Sequence, residues 1–122
     1  MLFRSHAFWQ KYGVGAKVKA EHPMTGQPTD RNPALFGDAD GVPAPYANYT
    51  LDKQLAAGVV VLGCNLAFKD MVGYVKDVDK VDDAEARARA VAGIIPGVIL
   101  QPSGVFGVIR AQEAGCVYIK AS

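Results

Sequence analysis

The residue type in this chain best suited to nucleophilic chemistry is cysteine, and Cys64 has the more telling position. It closes the run Gly58-Val-Val-Val-Leu-Gly63 and is followed at once by Asn65 and the helical-looking stretch Leu66-Ala-Phe-Lys-Asp-Met-Val72. The thiolate is the reactive form of cysteine, and a helix N-terminus favours it through unpaired N–H groups and the helix dipole. The amides of Asn65 to Ala67 would then stabilise a thiolate at Cys64. Ser103 and Gly104 follow a second predicted strand, so their N–H groups fall on the same side of the sheet and form a candidate anion nest. A plainer reading stands beside this one. Cysteine is among the residues most often buried and inert, and no His or Asp is placed by sequence logic to act as a base for Cys64.

The second thiol, Cys116, opens a predicted strand where Cys64 ends one. Five residues at about 3.3 Å each separate such positions by roughly 16 Å, whereas disulfide Cα atoms lie within about 7 Å. No intrachain bridge is expected, and Cys116 reads most simply as a small buried residue. Two cysteines without C-x-x-C spacing give neither a disulfide scaffold nor a metal site. His6 and His22 have no acidic or cysteine partner at ligand spacing and read as surface or internally satisfied histidines.

The elements that must position Cys64 follow from apolar patterning. Val59 to Leu62 are consecutive large apolar residues without polar alternation, which predicts a central strand buried on both faces of a parallel sheet. Ligands of open parallel sheets bind beyond the strand C-termini, where Cys64 stands. Ser5 predicts the cap of a short helix bearing Phe8, Trp9 and Tyr12, ended by Gly13, with the aromatics packed on the sheet. Gly13-Val-Gly15 follows a helix and lacks a third glycine, which rejects it as a phosphate loop. Lys17 to Ala20 suggests a short edge strand.

Residues 21–49 read as one long loop, broken by Pro23, Gly26, Pro28, Pro33, Gly37, Gly41, Pro43 and Pro45. Loops of this length are uncommon and tend to be lids, binding loops or oligomer contacts. Arg31 is expected to pair with Asp30 or Asp38. Thr50 predicts the cap of a helix over 51–57, Asp77 to Val81 a charged connector, and Asp82-Asp-Ala-Glu85 a capping box for a helix through Ala92. Its alanines and Val91 are expected to face a sheet, with Arg87 and Arg89 outward. A strand over Val98 to Gln101, a helix over 105–114 capped by Ser103, and a strand over 116–120 complete an α/β order with parallel crossovers.

Composition bounds the function. The 122 residues, half of them hydrophobic and a fifth charged, suit one globular domain over 1–122. Thirteen basic against twelve acidic residues leave a formal charge of +1 and no electrostatic footprint for nucleic acid. The longest nearly apolar run, Ala56 to Cys64, falls far short of a membrane span. No secretory signal opens the chain, which makes cytoplasm the default compartment.

Three stretches together resemble the DsrE/DsrF-like family: Gly58 to Asn65, Ile95-Pro-Gly-Val-Ile-Leu-Gln-Pro-Ser-Gly-Val105, and Arg110-Ala-Gln-Glu-Ala-Gly-Cys-Val-Tyr-Ile-Lys120. Trp9-Gln-Lys-Tyr12 and Thr29-Asp-Arg-Asn-Pro33 are similar to a bacterial branch of that family, mostly uncharacterised and often exported by a twin-arginine signal. The resemblance implies a three-layer α/β/α sandwich with a mainly parallel sheet, assembled as a homo-oligomer (dimer, trimer or hexamer). It implies sulfur relay as a cysteine persulfide, with Cys64 at the sulfur-carrying position and Pro102 to Gly104 beside it. The partners implied are a sulfur donor and an acceptor protein, with no cofactor and no metal. Two departures stand out: Asn65 to Phe68 is neutral where relay subunits are basic, and the family's first strand–helix–strand is missing before Phe8. An export signal upstream would make the compartment periplasmic. The alternatives are a non-catalytic small-ligand-binding module and a structural oligomer subunit with an inert cysteine.

Overall fold

The computed structural model describes residues 2–119. Its helices are α1 (His6–Lys11), α2 (Val14–Lys17), α3 (Leu51–Ala56), α4 (Asn65–Asp79), α5 (Asp83–Ala92) and α6 (Gly104–Glu113). Two strands, β1 (Leu62–Cys64) and β2 (Ile99–Gln101), pair in parallel with Leu62 opposite Ile99 and Cys64 opposite Gln101. This is a mixed α/β fold with helices around a small parallel sheet. Gly63 turns toward Phe3, Val98 and Leu100, whereas Leu62 turns toward Gly107 of α6. Successive strand residues face opposite sides, so the sheet is covered on one side by the main core and on the other by α6.

The helix ends follow local chemistry. Ser5, Asp82 and Ser103 accept the N–H groups of Phe8, Glu85 and Phe106 at 3.2, 2.8 and 3.1 Å. Each satisfies one of the donors a helix leaves open at its start. Thr50 is the residue before α3 but makes no capping bond. Its buried hydroxyl closes no hydrogen bond, and its nearness holds the Asp52 carboxyl below its ordinary value. Helix α4 runs through Asp79, so the expected connector over 77–81 is largely helical, and Lys80 ends it in the left-handed region at φ +54°.

The core lies between helices rather than on a sheet. Phe8, Trp9 and Tyr12 of the first helix–turn pack with Phe68, Met71 and Val75 of α4 and with Ala86 and Ala90 of α5. The two alanines let α5 approach α4 closely, while Val91 is 48% exposed. At the hub of this face, Asp79 Oδ2 accepts from Tyr12 Oη at 2.8 Å, Lys11 Nζ at 3.1 Å and Arg89 Nη1 at 2.8 Å. Arg89, Tyr12 and Lys11 together hold the Asp79 carboxyl down at about 2. Gly15 lies against the Thr29 carbonyl, where any side chain would collide with backbone. That close approach, rather than phosphate binding, accounts for the glycine.

Four expectations about strands need correction. Val59 to Val61 stay outside β1, and Val59, Val60 and Leu62 are 46, 70 and 40% exposed, so the strand is short and not buried on both faces. With one paired neighbour, β1 has among the described residues no second strand to complete its ladder or bury its flank. Residues 17–20 close helix α2 and turn at Lys19 (φ +52°) instead of forming an edge strand. After Gly115 (φ +92°), residues 116–119 form no strand, and Lys120 lies outside the described residues. The burial of Cys116 went with that strand, and Cys116 is exposed.

Candidate functional site

Cys64 is the last residue of β1 and the N-cap of α4, with extended backbone angles (φ −80°, ψ 122°). The tight strand-to-helix junction follows from sequence: apolar residues end at Cys64, and the helical spacing of Phe68, Met71 and Val75 buries one face of α4 directly afterwards. In this geometry the N–H groups of the second and third helical residues point back at the cap side chain. They lower the Cys64 thiol from its ordinary value, Ala67 first, then Leu66, and then Gly104 from across the sheet. No closed capping hydrogen bond reaches the sulfur. The three N–H dipoles therefore act by orientation at longer range, which still favours thiolate over thiol.

Gly104 is brought close by register. Cys64 pairs with Gln101, and α6 starts three residues beyond Gln101. The N-termini of α4 and α6 thus converge on one sulfur, at the carboxyl end of a two-stranded parallel sheet. The four residues expected at the site, Cys64, Asn65, Ser103 and Gly104, gather at this one end. Their roles separate, however. Asn65 is the first residue of α4, but the effective N–H groups belong to Leu66 and Ala67. The Ser103 hydroxyl oxygen is committed to the Phe106 N–H, which leaves its O–H as the remaining donor. Gly104 has open space where a side chain would stand.

Cys64 is half-buried, a compromise between access and the dry surroundings that strengthen dipoles. Beside it, between the sheet and α6, lies a cavity of about 320 Å³ walled by Leu62, Gln101, Ser103, Gly104 and Gly107. Among the described residues no cluster of His, Cys, Asp and Glu could hold a metal ion. No helix there is long and apolar enough to cross a membrane.

Other singled-out residues find different partners. Arg31 pairs with Asp40 rather than Asp30 or Asp38, because the short turn Asp38–Asp40 folds that carboxylate back over the Gly37 N–H at 3.0 Å. His6 and His22 are half-buried and hydrogen-bonded, as satisfied histidines should be. Sequence reasoning passed over Arg4, which is wholly buried. Its guanidinium donates to the Ala90 carbonyl and lies 4.9–5.1 Å from the ring centres of Phe3, Phe8 and Phe68. Burial pushes it down to about 10. Only the apolar neighbours Leu2 and Phe3 hinted at this.

Compared with known proteins, the chain matches no family model, no curated protein and no solved structure.

Proposed function

We propose that this protein is a persulfide carrier of the DsrE/DsrF-like kind with Cys64 as the carrying residue. The observation that carries the reading is the convergence of N–H groups from two helix N-termini on the half-buried Cys64 sulfur. The sequence resemblance adds the sulfur chemistry. In the reaction, the Cys64 thiolate attacks the outer sulfur of a donor perthiol, R–S–SH. The donor S–S bond breaks, R–S⁻ leaves with the electron pair, and Cys64–S–SH forms without net oxidation. An acceptor thiolate then repeats the attack on the outer sulfur and releases Cys64 as thiolate. The N–H groups of Ala67, Leu66 and Gly104 stabilise that anion on both legs.

In this reading the chain works as a homo-oligomer. Val60, Ile99 and Val105 stand 70, 51 and 72% exposed around the sheet and α6, and clustered apolar surface of that kind marks an interaction face. Trp9, at 1% exposure, contributes nothing to such a contact. A monomer by light scattering at micromolar concentration would remove this part of the reading.

The test of the carrier uses the Cys116→Ser variant, so that Cys64 alone is read. Iodoacetamide labelling followed across pH should show a midpoint below the ~8.5 of an ordinary cysteine. Polysulfide should then add one sulfur atom, seen as a mass increase that cyanide or dithiothreitol removes. An ordinary midpoint together with no adduct would end the proposal. A second reading rests on the cavity of about 320 Å³ beside Cys64: a module that binds a small apolar ligand without covalent chemistry. A lowered thiol midpoint with no sulfur adduct would favour it.

A further inference from the structure

Two imidazoles share the hydrogen bonds of segment 21–49, His6 from outside it and His22 from within. His6, at the start of α1, accepts the Asn32 N–H at Nδ1 (3.1 Å) and turns its remaining nitrogen to the Leu35 carbonyl. His22 accepts the Met24 N–H at Nδ1 (3.1 Å) and sets Nε2 2.7 Å from the Asp40 carbonyl. A ring nitrogen that accepts carries no proton, so the hydrogen-bond pattern assigns the neutral Nε2–H tautomer to each. Both rings lie against Phe36, with centroids 5.8 and 4.9 Å away.

Phe36, Val42 and Ala47 form a small core of their own, exposed by only 4, 6 and 1%. It is separate from the core around Trp9, and three short helical turns at Pro33–Leu35, Asp38–Asp40 and Tyr46–Asn48 are the regular structure of its segment. The outer end of that segment is tied to α3, where Lys53 Nζ donates to the Ala47 carbonyl at 2.6 Å and Gln54 Nε2 to the Asn48 carbonyl at 3.3 Å. Its inner end is tied by the Thr29 N–H to the Ala20 carbonyl at 2.9 Å, so local opening between those ties is governed by the clamps at 31–42. One clamp reaches further: the Asn32 side-chain amide donates to the carbonyls of Leu2 and Arg4, both at 2.6 Å.

The charges around the clamps are few. His6 is faced by the Arg31 guanidinium and by the carboxylates of Asp40 and Asp52. His22 is faced by the backbone of Asp40, and Arg31 lies over the Phe36 ring that both histidines touch, 5.4 Å from its centre. Asp40 is itself bound to Arg31 and the Gly37 N–H, so the nearest carboxylate is already engaged.

We propose that segment 21–49 is an acid-opened cover, in which protonation of His6 at Nδ1 breaks its bond to the Asn32 N–H and exposes the Phe36, Val42 and Ala47 cluster. A proton on His6 Nδ1 sets N–H against the N–H of buried Asn32, and a donor facing a donor away from water is costly. Burial, and then Arg31, lower His6 from its ordinary value in the closed form. The opened form takes up its proton near the ordinary value of about 6.5. The closed form is therefore fully favoured above about 6.5 and loses ground as pH falls below it, because the opened form binds the proton first.

The test is hydrogen exchange by mass spectrometry on the full chain at about pH 5 and about pH 7.5, corrected for intrinsic exchange, on either side of the imidazole range. Opening of 31–42 should become several-fold more favourable at the lower pH, while amides of α4 and α5 keep their protection. In a His6→Asn variant, the Asn side-chain oxygen can accept the same N–H group without titrating. There the ratio between the two pH values should fall to near one. Equal protection of the native chain at both pH values, or a pH response that survives in the variant, would overturn the proposal. If the variant does not fold, the ring-proton titration of His6 in the native chain decides. A midpoint at or above the ordinary imidazole value would overturn the proposal, and one below it would support it.

Discussion

The helical side and the sheet side of this molecule are built to different standards. On the helical side, α1, α4 and α5 close over Trp9, Phe68, Met71 and Val75, all at or below 1% exposure. On the sheet side, β1 and β2 pair among the described residues only with each other, and α6 leaves Val105, Phe106 and Ile109 exposed by 72, 43 and 49%. Cys64 sits on the boundary: its helix belongs to the tight side and its strand to the open side. Stability is thus concentrated away from the thiol, and the rigid α4 carries the N–H groups that act on it.

The comparison breaks most readily at its strong end. Trp9→Ala should cost about 3–5 kcal/mol by urea unfolding, as large-to-small changes in closed cores do. A loss under about 1 kcal/mol would mean that the helical core does not hold the fold. Acid should act on the same side. The Asp79 carboxyl titrates near 2 when folded and near 3.9 when unfolded. Its contribution is complete above about pH 4 and is lost as pH falls toward 2. In Asp79→Asn, thermal melts should show a weaker loss over that window than the native chain does.

Smaller effects sharpen the contrast. Asp82→Ala and Ser103→Ala each remove one cap bond, on the closed and the open side respectively. Each should cost about 1 kcal/mol in denaturant unfolding. A clearly larger cost at Asp82 would show that α5 is cooperative with the core while α6 frays alone. Smallest of all, Val105→Ser should change monomer stability by no more than about 0.5 kcal/mol. A greater loss that depends on protein concentration would mean that the open face is covered by another copy in solution.

Much of the helical side was legible in the chain. Ser5, Asp82 and Ser103 each cap their helix as read, because a cap bond joins residues three apart and needs nothing from the rest of the fold. The box expected at Asp82, however, is half formed, with the Glu85 carboxylate turned to Arg89. The junction at Cys64 was legible for the same reason, since an apolar run meeting a helical period fixes where strand ends and helix begins. Less legible were the partners of the charges. Arg31 chose Asp40 over two carboxylates nearer or equally plausible in sequence, because the 38–40 turn presents only Asp40 to it. Arg4 gave no local sign of burial beyond its neighbours Leu2 and Phe3, since the rest of its cage, Phe8 and Phe68, comes from other elements.

What the sequence determined by itself is the set of local elements: the capped helices, the parallel order of β1 and β2, and a thiol at a strand–helix junction. Tertiary structure alone decided which faces are covered. The β-branched run at 59–61 and the β-branched and aromatic run at 117–119 have strand character, yet a strand exists only where another chain segment supplies its ladder. Among the described residues β1 has one such partner. Trp9 and Tyr12 likewise chose helices over a sheet, because the small Ala86 and Ala90 let α5 come close enough to α4 to enclose them. Capping is settled within a few residues, whereas burial depends on residues brought together from across the chain.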